Sequence, residues 1–240
     1  MKLAFISDLH LSPDTFSNNQ LFYSLLKKWQ DEIDALYILG DLFDYWVGDD
    51  DDNVFTREMK QILANFTQYI PIYFIGGNHD FGIGKHFALE TGISLLKDLT
   101  PLTIGKNIIL LSHGDIFCTL DVKYQKMKSI LQNPITKFIL RRIPLRLRYK
   151  LKEKLEHGAS KEFNTQTQET YHVVDSTVAA FAHKYQANIV IHGHTHNPDC
   201  YIIKSKHGIL QRFEIPDWVD RKPGGYIMLE DEKIKIHIPD

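Results

Sequence analysis

Sulfur is scarce in this chain: its two cysteines, Cys118 and Cys200, lie far apart and form no Cys-x-x-Cys pair. That excludes a disulfide framework and a thiolate zinc site, and it suits a reducing compartment. Charge of either sign is not in excess, the formal net charge being −2, so no global attraction to nucleic acid is written in. No apolar run approaches the roughly 20 residues of a membrane span. The apolar start is broken by Asp8 and His10 too early for a secretory signal, and a cytoplasmic protein is expected. Repeats and low-complexity linkers are also missing, so a single domain over residues 1–240 is expected. What is present is an ordinary globular composition, 43% apolar and 24% charged, enough for a sizeable core.

Five runs of β-forming residues each end in oxygen or imidazole side chains. Leu3–Ala4–Phe5–Ile6 leads into Ser7–Asp8–Leu9–His10, and Leu36–Tyr37–Ile38–Leu39 into Gly40–Asp41. Ile72–Tyr73–Phe74–Ile75 leads into Gly76–Gly77–Asn78–His79–Asp80, and Ile108–Ile109–Leu110–Leu111 into Ser112–His113–Gly114–Asp115. Ile189–Val190–Ile191 leads into His192–Gly193–His194–Thr195–His196. A short apolar run closed in this way delivers its side chains at a strand's C-terminal end, where open α/β sheets hold ligands. One Gly–Asp after a strand is usually only a turn; five such ends read as a metal site gathered from separate loops.

Around these strands, Ser17 to Gln30 reads as a helix with Leu21, Leu25 and Trp29 on one face and Ser17 or Asn18 as its cap. Asp49–Asp50–Asp51–Asp52 reads as a solvated loop or a helix start. Val54 to Tyr69 predicts a helix with Phe55, Met59, Ile62, Leu63 and Phe66 in its core stripe, and Ile83 to Glu90 a short one closed by Gly92. From Asp121 to Glu156 strand signals stop and bases crowd together, among them Lys137, Arg141, Arg142, Arg146 and Arg148. They alternate with Ile130, Leu131, Ile135, Phe138, Ile139, Leu140, Ile143, Leu145 and Leu147, and Pro134 and Pro144 divide the stretch. This predicts a helical cap inserted at about residues 120–160. Its basic, amphipathic surface is either simply solvated or drawn to anionic lipid, and it offers few aromatics for stacking nucleic acid. A helix from Ser160 to Tyr185 is expected next. Runs at Tyr201–Lys204, Ile209–Ile215, Tyr226–Leu229 and Ile234–Ile238 then predict a second sheet packed on the first, giving an α/β four-layer sandwich with helices outside.

Asp8, His10, Asp41, Asn78, His113, His194 and His196 outnumber the roughly four donors of one tetrahedral ion. They suit two ions, with the Asp41 carboxylate shared by giving one oxygen to each. With no sulfur donor, Mn²⁺, Fe²⁺ and Zn²⁺ are the candidates. Two cations about 3.5–4 Å apart acidify water and neutralise phosphoryl oxygens, so hydrolysis of a phosphate ester or anhydride is expected. His79, next to Asn78, is expected to donate a proton to the leaving group or to stabilise its charge, with Asp80 holding its ring. His192 is assigned to the interior or to a supporting position rather than to a metal.

Asp8-Leu9-His10, Gly40-Asp41, Gly77-Asn78-His79-Asp80, His113 and Gly193-His194-Thr195-His196, in that order, resemble the motifs of the calcineurin-like metallophosphoesterases over most of the chain. The resemblance implies Asp8, His10, Asp41 and His196 around one ion and Asp41, Asn78, His113 and His194 around the other. A closer resemblance is to the branch of that family that acts in lipid A synthesis. It is carried by Ala35 to Phe43, Trp46 to Asp51, His113–Gly114–Asp115 with Cys118, and Ala159 to Glu162. It implies a Mn²⁺-dependent hydrolase, peripheral on the cytoplasmic face of the inner membrane. The implied reaction splits the pyrophosphate of UDP-2,3-diacylglucosamine into 2,3-diacylglucosamine 1-phosphate and UMP. It also implies a cap that receives the acyl chains, contacts from Asn78, Asp121, Ser160, Asn164 and His194 to this lipid nucleotide, and no obligate protein partner. His79 stands where the branch has Arg, and Thr167 where it has a substrate-contacting Lys. These positions raise an alternative, a paralogue acting on another lipid or nucleotide phosphodiester or pyrophosphate.

Overall fold

A computed structural model describes residues 1–163, 172–206, 208–220 and 222–239. Three strands open the chain, β1 (Lys2–Ile6), β2 (Ala35–Leu39) and β3 (Ile72–Ile75), and they lie parallel. Their crossovers are α1 (Phe16–Trp29) and α2 (Val54–Phe66); α3 (Lys85–Thr91) then leads to the two-residue β4 (Ser94–Leu95). β5 (Thr100–Ile104), β6 (Asn107–Leu111), β7 (Ile189–His192), β8 (Cys200–Ser205) and β9 (Gly208–Glu214) form a second sheet, in the order β5-β6-β7-β9-β8. β10 (Tyr226–Glu230) and β11 (Lys233–His237) return to the first sheet, whose order is β11-β10-β1-β2-β3-β4.

Strand alternation explains the layering, because successive side chains of one strand face opposite sides of its sheet. Ala4, Ile6, Leu36 and Ile38 pack against Phe22, Leu26, Trp29 and Met59 of α1 and α2. Their neighbours Phe5, Tyr37 and Leu39 meet Ile109, Leu111, Ile189 and Ile191 between the two sheets. Leu110 and Val190 face outward onto Val178 and Ala182 of α7 (Asp175–Lys184). The result is the expected α/β/β/α sandwich. Between β6 and α7 come α4 (Val122–Leu131), α5 (Pro134–Leu140) and α6 (Leu145–Phe163), with Pro134 in the first turn of α5 and Pro144 just before α6.

Three expectations change. The second sheet is not made by the C-terminal runs alone: β8 and β9 extend the β5–β7 sheet, whereas β10 pairs antiparallel with β1. Alternation announces a strand but not its partner, and register is settled only by packing. The helix foreseen from Ser160 to Tyr185 is not continuous, since Val174 is extended (φ −91°, ψ 107°) and gives its N–H to Phe117 O at 3.1 Å. In α1 the cap position is Thr15, and the buried face is Phe22, Leu26 and Trp29, with Leu21 and Leu25 only partly covered.

Candidate metal centre

The loops following β1, β2, β3, β6 and β7 bring the expected donors to one edge of the sandwich. Five of these residues hold left-handed backbone: Asp8 (φ 57°), His10 (48°), Asp41 (51°), His194 (78°) and His196 (52°). Such conformations are uncommon outside glycine and persist where surrounding contacts impose them, typically at functional sites. Here the contacts are visible. Asp8 N and His10 N donate to Gly40 O and Asp41 O, each at 3.1 Å. The carboxylates tie further loops together, with His194 N donating to Asp8 Oδ2 and His79 N to Asp41 Oδ1, both at 2.9 Å.

All seven expected donors come together. Asp41 Oδ2 lies 3.8 Å from His10 Nε2 and 3.5 Å from His113 Nε2, and Asp8 Oδ1 lies 3.5 Å from His196 Nε2. Asn78 Oδ1 is 2.9 Å from His113 Nε2, and the rings of His113 and His194 are 4.9 Å apart. Within Asp8–His10–His196 and within Asp41–His113–His194, one donor atom per residue falls inside 4.8 Å of the others. Asp41 is placed between the groups: its Oδ1 accepts from the His79 amide, and its Oδ2 approaches both imidazoles.

The donor set fits divalent cations. Asp8 Oδ1 is buried with no hydrogen-bond partner, and burying a carboxylate oxygen without compensation is costly unless a cation satisfies it. Burial works against charge on His113, yet the carboxylates of Asp41 and Asp8 outweigh it and lift the ring to about 9. Burial likewise opposes charge on His196, but Asp8 and Asp220 carry it to about 10. The pocket thus attracts positive charge. Burial and the neighbouring His113 pull His194 down to about 4, leaving a neutral imidazole with a lone pair to give.

Supporting residues aim these rings. His113 Nδ1 is 2.9 Å from Leu39 O, and because a carbonyl only accepts, Nδ1 carries the proton and Nε2 turns to the centre. His196 Nδ1 sits 2.7 Å from Asp220 Oδ2. Glu214, at the end of β9, accepts from Thr195 Oγ1 (2.5 Å) and Asn197 N (2.8 Å), pinning the strained loop that carries His194 and His196. Sequence reading misses Asp220 and Glu214, because neither lies in a motif and both act across the fold. Glu214→Ala is expected to weaken divalent-metal affinity about 10–100-fold, the usual effect of removing such a partner, while the circular dichroism of the fold is kept. A metal titration of the variant that overlays the wild type would refute this.

Other expected site residues are placed differently. The Asp80 carboxylate, fully buried, accepts from Gly77 N (2.7 Å) and Leu42 N (2.8 Å), fastening the loops after β2 and β3. It does not hold the His79 ring, whose Nδ1 lies 2.6 Å from Asp44 O. The physical reason is that the Asp80 side chain turns inward to satisfy two buried amides. Asp121 caps α4 by accepting from Tyr124 N at 2.9 Å. His192 is interior, its Nε2 3.1 Å from Arg212 Nη1. Asn164 and Thr167 lie outside the described residues, and of Ser160 only the backbone, within α6, is described.

Helix α4 is fastened to the centre. Lys128 Nζ reaches Asp115 Oδ1 at 2.6 Å and Asp98 Oδ2 at 3.3 Å, Tyr124 OH donates to Asp115, and the Tyr124 ring stacks over His194. Beyond Asn78 an apolar groove runs past Phe81, Met127 and Leu131. Phe81 and Leu131 also line a pocket with Tyr45, Leu140 and Leu151, where Lys137, Arg141 and Lys152 add positive charge.

A two-sheet sandwich carrying Asp, Asn and His donors on the C-terminal loops of its strands is the architecture of a metal-dependent phosphoester hydrolase. The model of the calcineurin-like phosphoesterase family matches residues 1–198, and the chain belongs to that family, whose members use divalent metals. It is 34% identical over 240 residues to a UDP-2,3-diacylglucosamine hydrolase of Psychromonas ingrahamii, covering 99% of this chain and 97% of the relative. It is 38% identical over 238 residues to one of Chromobacterium violaceum, with 98% of each covered. A solved archaeal phosphodiesterase aligns over 100% of both chains at a TM-score of 0.50 and 12% identity, a likeness of fold alone.

Proposed function

We propose that this hydrolase cleaves the pyrophosphate bond of UDP-2,3-diacylglucosamine to UMP and 2,3-diacylglucosamine 1-phosphate. In this reading Asp8, His10, Asp41 and His196 hold one divalent ion, and Asp41, Asn78, His113 and His194 hold another, with Mn²⁺ as the working metal. The observation that carries it is the apolar, cation-bearing groove that begins at Asn78, beside the donor cluster. Identities of 34% and 38% to relatives named for that substrate support it. A uridine diphosphate linked to two acyl chains needs both parts, donors for its phosphates and an apolar channel for its lipid.

Ions bound there would supply an acidified water and neutralise charge on the phosphoryl oxygens. The chain's own residues orient and protonate. His79 spends Nδ1 on Asp44 O, so Nε2 is the ring atom left to face a substrate oxygen and to serve the leaving group. Asp80 acts by locking the loops that carry Asp41 and Asn78. Asp121 starts α4, whose Tyr124, Met127 and Lys128 form one wall of the groove. Residues 1–240 would work as one domain, with α4–α6 as its cap. Mass identification of products formed in ¹⁸O-labelled water tests the reading. UMP and the lipid phosphate are expected, and intact lipid nucleotide alongside rapid cleavage of another nucleotide diphosphate would reject it. His79 in place of Arg favours a second reading, a paralogue with another lipid or nucleotide substrate, because an imidazole lacks the guanidinium's two-pronged grip on phosphate. A substrate panel on wild type and His79→Arg separates the two. Preference for the lipid nucleotide by the wild type keeps the first, and its appearance only in the variant selects the second.

The cap also supports peripheral attachment to the anionic cytoplasmic face of the inner membrane. Ile130, Ile135, Phe138, Ile139 and Leu147 are each more than half exposed, among Arg142, Arg146 and Lys150. Among the described residues no helix is long and apolar enough to cross a membrane. A base near an anionic surface contributes about 1 kcal/mol, so reversing Arg142 and Arg146 to Glu is expected to weaken co-sedimentation with anionic vesicles tenfold or more. Turnover of bis(p-nitrophenyl) phosphate should not change; undiminished sedimentation would reject the membrane role.

A further inference from the structure

The acidic run after β2 is not a solvated loop, because three successive carboxylates each take a different partner. Asp49 accepts from Gly84 N (3.0 Å), Phe87 N (3.1 Å) and Trp46 Nε1 (3.2 Å), joining the loop to the start of α3. Asp50 receives both terminal nitrogens of Arg148, Nη1 at 2.7 Å, and Asp51 receives Tyr149 OH. Arg148 and Tyr149 lie in the first turns of α6, 98 residues away along the chain.

The Asp50 carboxylate is largely exposed, but Arg148 is only 5% exposed, so this is not an ordinary surface pair. Arg148 Nε donates to Ile143 O at 3.0 Å, and Nη1 donates also to Val47 O at 2.9 Å. One guanidinium therefore joins the turn before α6 to the loop after β2. Its planar fork fixes orientation as well as distance, which an ammonium cannot do. Residue 48 must be small for this: a Cβ on Gly48 would lie 2.1 Å from Arg148 Nη1. Val47, Gly48, Arg148 and Leu151 all line the same groove, so the latch is built into its wall.

We propose that Arg148 is a positioning residue for the apolar part of the substrate. By closing its fork on Asp50 while Tyr149 bonds Asp51, it latches α6 to the loop after β2 and sets the width of the groove, without meeting the reacting phosphates. The proposal rests on the lipid-nucleotide reading above. The groove takes Leu140 from α5 and Leu151 from α6, so releasing the latch moves that wall while the donors on the strand ends stay where their own loops hold them.

The test compares Arg148→Met, Arg148→Lys and Gly48→Ala with wild type, all loaded with Mn²⁺. KM and kcat are measured on UDP-2,3-diacylglucosamine and on bis(p-nitrophenyl) phosphate, with amide hydrogen exchange read over residues 145–154. Gly48→Ala leaves both charged partners in place and crowds the fork where it meets Asp50, so it guards against misfolding of the Met variant. KM for the lipid nucleotide should rise about tenfold or more in Arg148→Met and Gly48→Ala and less in Arg148→Lys. Small-diester turnover should stay within threefold, and exchange over 145–154 should quicken while that of β1–β3 is unchanged. Equal losses on both substrates, or an unaltered lipid KM, would overturn the proposal. A wild type that cleaves the small diester but not the lipid nucleotide rejects the functional reading instead. The latch is then judged by exchange, where unchanged rates refute it.

Discussion

Asp41→Ala is expected to lower phosphodiester turnover by well over 100-fold and to leave the purified chain without its full complement of divalent metal. The residue is 2% exposed, and its Oδ2 faces His10 and His113 from between the two donor groups. Its Oδ1 holds the His79 amide, so the substitution also frees the loop that carries Asn78 and His79. Removing a partner that only supports a donor costs about 10–100-fold, and a donor shared by two groups should exceed that range. Turnover of bis(p-nitrophenyl) phosphate and elemental analysis after desalting provide the measurements. A variant keeping two ions and a tenth of the activity would end the case for a shared carboxylate.

Gly77→Ala should be nearly as damaging, although it removes no donor. A Cβ at position 77 would lie 2.1 Å from Asp41 Oδ1 and 2.6 Å from Asp41 N. The backbone nitrogen cannot step aside, and the carboxylate is tethered to His79 N, so either Asp41 or the loop after β3 must shift. A misplacement of about 1 Å at a reacting centre costs on the order of 100-fold in rate. The added crowding should also lower stability by about 1–3 kcal/mol, a fall in Tm of several degrees for a chain of this size. Thermal unfolding and kcat/KM together decide it; wild-type values for both would show that the loop yields freely.

The donor cluster is legible in the sequence because each donor follows an apolar run that announces itself locally. Asp8 and His10 cannot be far from β1, nor His113 from β6, and parallel strands bring their C-terminal ends together. What stays hidden depends on pairing between distant segments. Arg148 and Asp50 are 98 positions apart, so the acidic run looks solvated until α6 is in place. Glu214 and Asp220 belong to no local pattern and acquire their roles only after β9 lies beside β7. Nor does neighbouring sequence say which way a carboxylate turns: Asp80 follows His79 directly, yet it serves the amides of Gly77 and Leu42.

Asp8 and Asp41 each commit one oxygen to a backbone amide of another loop, through His194 N and His79 N. The walls of the socket are therefore laced to one another by the polypeptide's own bonds. A chelator is expected to abolish turnover while leaving the far-ultraviolet circular dichroism of the scaffold in place, and added divalent ion to restore activity.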